Sequence, residues 1–492
     1  MFSKAYDETN PISIESYSQN LIGKTFADVL KEASNNDELI REIPNDYGKA
    51  HENKKRKGGL GELIEECFFH YKCNNESKPD FNQAGVELKV TPYKINNNNS
   101  FSAKERLIIT MIDYFSVVHE DFYESHLWTK SKLILLIYYL HSKDISNRLN
   151  YPIHYAKLFT PPKEDIEIIK QDFNTIVNKI KAGKAHELSE GDTLYLGAAT
   201  KASTSSDRKE QPFSDTPAKP RAFSFKASYM TYILNSFIVP NKTTYEPIIK
   251  NLNDLNGTTF ERYIINKINS YVGKTDKELC NLFCRECNKN KAQWIDLSYR
   301  MLGIKSNQAE EFVKANIVVK AIRIEENDTM IESMSFPSFK FKEIVNEMWE
   351  ESDLFTYFNE THFLFVVYKK YGDNYVLKGS QLWHIPYNDL NETVYDGWNV
   401  TRNIIKDGVI FTKKKTKSGL IISNNLPKKG DNSIIHIRPH AQKSAYLFTN
   451  GESVGNVSKN ANELPDGQWM TNQSFWINNS YILNQLNKDL LK

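Results

Sequence analysis

Four segments of this chain recur in the same order in its second half, and that recurrence constrains the fold more than any single motif. Residues 312–320 answer residues 81–89, and 363–368 repeat the apolar run 133–138. Residues 398–408 repeat 173–183 with the glycine stop retained, and 475–481 mirror 223–229. Four matches in one order point to a duplicated domain. A length of 492 residues also exceeds what one core usually serves. The expectation is two tandem α/β domains, 1–240 and 241–492, each a mixed sheet flanked by helices, with the junction near 238–245.

Hydrophobic content of 40% and charged content of 25% are ordinary for a globular protein. There is no run of eighteen apolar residues, and residues 1–15 lack an apolar signal core. A cytoplasmic, unprocessed protein with no membrane partner is expected. The net charge of +2 does not by itself announce a nucleic-acid binder. Residues 51–57, however, form a basic run just upstream of the acids described next. Such a run is commonly a solvated face, but this position favours phosphate contact. Cys280, Cys284 and Cys287 lie close together without a fourth ligand nearby. Their i, i+4, i+7 spacing suits the buried face of one amphipathic helix better than zinc.

The segment 77–89, Ser-Lys-Pro-Asp-Phe-Asn-Gln-Ala-Gly-Val-Glu-Leu-Lys, carries the chemistry. Residues 85–90 read as a strand, so Glu87 and Lys89 share one face. A turn over 82–85 can bring Asp80 alongside them. Two carboxylates and a lysine suit hydrolysis of a phosphodiester. In-line attack of water builds negative charge on the phosphate oxygens, and divalent ions held by carboxylates stabilise it. Asp80 and Glu87 fit the ligand role, and Lys89 fits the group that orients the attacking water. Glu65, on a helix entered through Gly58-Gly59, offers a further carboxylate. In the second half Val318 stands for Glu87, Lys320 for Lys89 and Glu311 for Asp80, which implies that the first copy cuts and the second binds.

Around these residues the likeness becomes specific. Lys57-Gly58-X-X-Gly61-X-X-X-Glu65, Ser77-Lys78-Pro79-Asp80 and Gly85-Val86-Glu87-Leu88-Lys89 together resemble the MutH family of DNA endonucleases. The chain is closer to the family's two-domain branch, the Sau-type restriction enzymes. Residues 184–191 resemble that branch's first domain; 334–336, 360–365, 436–440 and 473–479 resemble its second. The resemblance implies a Mg²⁺-dependent type II endonuclease of the restriction-nuclease fold that cuts double-stranded DNA at GATC, before the G. It places the catalytic acids and lysine on Glu65, Asp80, Glu87 and Lys89, and a DNA-contacting lysine on Lys57. It further implies an allosteric C-terminal domain that binds a second GATC copy.

One departure stands out. Single-domain relatives carry an Arg-Pro pair that enters the DNA groove; the first copy here has Leu196-Gly197-Ala198-Ala199-Thr200-Lys201, whereas the second keeps Arg438-Pro439. Direct reading of guanine favours Arg or Lys, so Lys201, Lys226 and Lys104-Glu105-Arg106 become the first copy's candidate DNA contacts. One active site per chain against two scissile bonds implies DNA-promoted self-association or sequential nicks. The rival expectations are a mismatch-repair nicking enzyme and a non-catalytic GATC-binding regulator. Residues 202–220, rich in Ser, Lys, Asp and Pro, read as a long mobile loop.

Overall fold

The computed structural model describes residues 5–34, 52, 58–71, 78–202, 204, 206–240, 243–288, 290–416 and 419–492. The chain divides into two compact units, Met1–Thr259 with Gln308–Asn316, and Phe260–Asn307 with Ile317–Lys492.

The first unit contains β1 (Glu87–Ile95), β2 (Phe101–Ala103), β3 (Leu107–Met111), β4 (Ile134–Leu140), β5 (Ile153–Phe159), β6 (Leu196–Thr200), β7 (Lys209–Gln211), β8 (Ser214–Ala218) and β9 (Arg221–Phe225). Its larger sheet has the order β2-β1-β4-β5, with β1 parallel to β4 and the other pairs antiparallel. The uninterrupted apolar run Ile-Leu-Leu-Ile-Tyr explains why β4 is central, since a strand paired in parallel is covered on both faces. A second sheet, β3-β9-β6, is antiparallel throughout, and all of β9 is buried.

The helix Lys163–Lys181 buries Ile168, Ile169, Phe173, Ile176, Val177 and Ile180, the stripe expected of an amphipathic helix. Asp172 lies on that buried face. Its carboxylate accepts the N–H groups of Leu194, Tyr195 and Leu196 at 2.8, 2.6 and 2.9 Å, which ties the helix to the start of β6. The stretch expected as a mobile loop contains the β7–β8 hairpin. The buried Gln211 amide organises it, donating to the Thr216 carbonyl at 2.5 Å and accepting from the Ala185 N–H at 2.8 Å. The polar composition had concealed that pairing.

The second unit repeats the topology with β10 (Ile317–Ile324), β11 (Met334–Ser338), β12 (His362–Tyr371) and β13 (Asn374–Trp383). β10 is parallel to β12 and β12 antiparallel to β13, as β1, β4 and β5 are. β11 and the strand Ile435–Pro439 flank Gln473–Ile477, as β3 and β6 flank β9. Even loop hydrogen bonds recur. The Lys201 N–H reaches the Pro220 carbonyl at 2.8 Å, and the His440 N–H reaches Asn472 at 2.7 Å. The register therefore puts Arg438 where the first unit has Ala199 and Pro439 where it has Thr200.

Two expectations give way here. Residues 312–320 are not one strand: Glu310–Ala315 is a helix stopped by Asn316 at φ 51°, and β10 starts at Ile317. The 240/241 junction also moves, because residues up to Thr259, and Gln308–Asn316 with them, pack in the first unit. The reason is a buried ionic cluster. Lys314 Nζ lies 2.5 Å from Asp165 Oδ1 and 2.6 Å from Glu310 Oε1. Glu311 accepts the N–H groups of Ile248 and Ile249, each at 2.9 Å.

Candidate active site

Glu87 is the first residue of β1, and Leu88, pointing the other way, is buried in the core. The pleat puts Lys89 back on the Glu87 face, where Lys89 Nζ lies 2.7 Å from Glu87 Oε1. Residues 81–86 form a tight reversal in which Phe81 and Val86 exchange backbone hydrogen bonds of 2.9 and 3.2 Å. Gly85 sits in this reversal at φ 68°, a conformation that favours glycine. The reversal folds Asp80 against β1, and its Oδ2 accepts the Leu88 N–H at 2.8 Å. Sequence reasoning placed Asp80, Glu87 and Lys89 together, and the structure does bring them together.

The electrostatics of the pair are those of two crowded carboxylates. Burial, and next the charge of Glu87, push the Asp80 carboxyl up to about 6; the Leu88 N–H and Lys89 oppose the rise, and Glu65 adds to it. Glu87 is buried at 1% exposure, and among the described residues its Oε2 has no hydrogen-bond partner. An orphaned buried carboxylate oxygen costs about 1–3 kcal/mol or more. Glu65 lies on the helical turn Ile64–Phe68, half-buried and within electrostatic reach of Asp80. Among the described residues, no three His, Cys, Asp or Glu side chains converge closely enough to form a complete metal cage. The Asp80–Glu87 pair nevertheless fits a hard divalent cation, which would satisfy the orphaned oxygen and relieve the repulsion together.

A second lysine belongs to the site and escaped the sequence reading. Lys130 ends its side chain 3.4 Å from Glu87 Oε1 with only 13% of the side chain exposed. It comes from the helix His126–Ser131, capped by Ser125. Because Glu87 pairs with Ile134 in the parallel β1–β4 ladder, the helix leading into β4 ends beside the start of β1. The usable signal was a lysine four residues ahead of an obvious buried strand.

The candidate DNA contacts fare unevenly. Lys57 and most of the 51–57 run lie outside the described residues. Lys104, Glu105 and Lys201 are exposed. Arg106 is ion-paired with Glu190, whose carboxylate fills the space beside Gly197 where a Cβ would stand. Lys226 is a correction. It is buried at 3% exposure with its ammonium donating to the carbonyls of Glu190 and Thr193, so it holds a loop together and is not presented to DNA. In the second unit Arg438 and Pro439 are exposed, and the Arg438 guanidinium lies over the Trp476 ring at 4.9 Å.

On β10 the counterparts of Glu87 and Lys89 are Val318, packed against the core, and Lys320, whose ammonium burial holds below its ordinary pKa. Glu311 does not complete a pair with them, since it caps the backbone of Ile248 and Ile249 within the first unit. The cysteines also differ from expectation. Cys280 is buried on the helix Asp276–Leu282, whereas Cys284 and Cys287 follow it and are exposed. The chain turns at Cys284, at φ 48°, so the three do not share a helix face.

Comparison with known proteins follows the same geography. A family model described as the DNA mismatch repair enzyme MutH matches residues 69–172, a span holding Asp80, Glu87, Lys89 and Lys130. The type II restriction enzyme Sau3AI of Staphylococcus aureus is 37% identical over 469 residues, covering 89% of this chain and 94% of that protein. The DNA mismatch repair protein MutH of Shewanella woodyi is 27% identical over 188 residues, 37% of this chain and 78% of its own length. The MutH protein of Vibrio campbellii is 27% identical over 188 residues, 36% of this chain and 72% of its own length. In the described residues, no helix is long and apolar enough to cross a membrane.

Proposed function

The chain belongs to the family of the type II restriction enzyme Sau3AI and is a site-specific deoxyribonuclease, and from that membership we propose that it hydrolyses double-stranded DNA at GATC, before the G, with Mg²⁺. The observation that carries the reading is the Asp80–Glu87–Lys89 constellation with its buried, unpartnered carboxylate oxygen. Asp80 and Glu87, with Glu65 beside them, would hold the ion. When bound, it neutralises charge on the phosphate and lowers the pKa of the attacking water.

The remaining work falls to this chain's own groups. The Leu88 N–H fixes the Asp80 carboxylate against β1, so the two acids keep their spacing without the ion. Lys89, tethered to Glu87 Oε1, carries three donors; it orients the attacking water and stabilises the oxygens that gain charge. Lys130 approaches the same carboxylate from another element and adds a second positive charge where an anionic phosphate must sit. The exposed charges Lys104 and Lys201, with Lys57, contact the DNA backbone, which positions the duplex without reading it.

The second unit, with Val318 at the place of Glu87, serves as an effector domain that binds a second GATC copy through Arg438 and Pro439. One cutting centre per chain must act on each strand in turn or meet a second copy for a double-strand break, and the reading favours DNA-promoted self-association. The test is digestion of a supercoiled plasmid with purified protein, with Mg²⁺ or with chelator. The expected result is Mg²⁺-dependent linear product whose ends map before the G of GATC. Ends at other sequences, or no metal-dependent loss of supercoiled DNA, would overturn the reading.

A further inference from the structure

The second unit carries an element that the first lacks, between the glycine ending its long helix and the strand bearing Arg438. Residues 408–430 contain six lysines and neither Asp nor Glu. Part of this stretch forms a two-stranded hairpin, Phe411–Thr416 paired with Gly419–Asn424. The same connection in the first unit, 184–195, has no strand and carries Glu187, Glu190 and Asp192.

The hairpin has two different faces. On one, Phe411 packs edge-on against Phe448 at 5.4 Å, Ile422 joins the core, and Lys413 Nζ lies 3.8 Å above the Phe448 ring while pairing with Glu452. That face is the anchor. The other presents the cross-strand pair Lys414 and Ile421, with Ile421 at 53% exposure. Lys415, also exposed, follows Lys413 on the anchor face, beyond the contact with Phe448. The foot of the hairpin continues into the strand of Arg438. The Ile437 N–H donates to the Pro427 carbonyl at 3.0 Å, and Lys429 Nζ reaches Asn479 Oδ1 at 2.5 Å.

We infer that this hairpin is a β-ribbon gripping the phosphate backbone of the duplex that the second unit binds, a reading that rests on the effector role proposed above. Charge complementarity favours a polyanion as the occupant, and a two-stranded ribbon is of a size that a DNA groove admits. Lys414 and Lys415 supply phosphate contacts from the two faces of the ribbon, and Ile421 supplies apolar contact beside Lys414.

The test uses the full chain. A labelled one-site duplex is cleaved with Mg²⁺ while an uncleavable phosphorothioate GATC duplex is titrated in at several salt concentrations, and the half-maximal stimulating concentration is read. Replacing both lysines (Lys414→Gln with Lys415→Gln) should leave unstimulated cleavage and thermal unfolding unchanged. It should raise the half-maximal concentration roughly tenfold and reduce its log–log salt slope by about 2, as expected for two lost phosphate contacts. The control pair Lys274→Gln with Lys277→Gln, exposed in the same unit, should behave as wild type. Unchanged slope and stimulation in the hairpin variant, alongside a loss in Arg438→Ala, would overturn the ribbon and spare the effector role; an equal loss in the control pair would also overturn the ribbon. Absence of any stimulation in the wild type would overturn both.

Discussion

Asp80→Asn tests the electrostatics of the cutting centre without assaying cleavage. Asn keeps an oxygen for the Leu88 N–H and removes the charge that burial and Glu87 disfavour. The Asp80 carboxyl rises from 3.8 to about 6, which is worth about 3 kcal/mol at the most. Solvent screening of a half-buried group reduces this to about 1–2 kcal/mol. The folded pKa lies above the unfolded one, so the native state holds more protons between pH 4 and 6. The wild type therefore loses stability as pH rises through that window, and Asp80→Asn does not. In chelator at pH 7.5, thermal unfolding of Asp80→Asn should occur roughly 3–5 °C above wild type. The gap should shrink towards pH 4, and Mg²⁺ should stabilise the wild type while leaving the variant nearly unmoved. A variant no more stable than wild type at pH 7.5, or a gap that grows on acidification, would refute the reasoning.

Other consequences are open to single measurements. Lys130→Ala removes a positive charge 3.4 Å from Glu87 Oε1; steady-state cleavage should fall roughly 10- to 100-fold, and a wild-type rate would exclude Lys130 from the site. Lys314→Met leaves Asp165 and Glu310 facing each other without their cation, so urea unfolding should show a loss of about 3–5 kcal/mol; a loss under 1 kcal/mol would show that the cluster does not hold residues 308–316 in place. Arg438→Ala should abolish most stimulation by a second GATC duplex and leave one-site cleavage intact, and undiminished stimulation would remove Arg438 from the effector surface.

Much of the first site was legible because its logic is local. Glu87 and Lys89 are two residues apart on a strand, and Asp80 needs only a glycine-containing reversal to reach them. The duplication was legible for a similar reason, since apolar strands and a glycine-stopped helix leave patterns of their own. Long-range placement was not. Lys130 reaches Glu87 only through the parallel pairing of β1 with β4. Lys226 looked like a DNA contact because charge is usually solvated, but the carbonyls of Glu190 and Thr193 accept from its ammonium where water otherwise would. Glu311 aligned with Asp80 by counting residues, and a helix ended by Asn316 sends it elsewhere.

The proposed cutting centre of this chain is single and built on Asp80, Glu87 and Lys89. Glu87→Gln keeps the size and burial of the side chain and removes its charge. Incubated with supercoiled GATC-bearing plasmid and Mg²⁺, this variant should leave the plasmid supercoiled while still shifting a GATC duplex in a gel. Linear product at the wild-type rate would contradict the assignment.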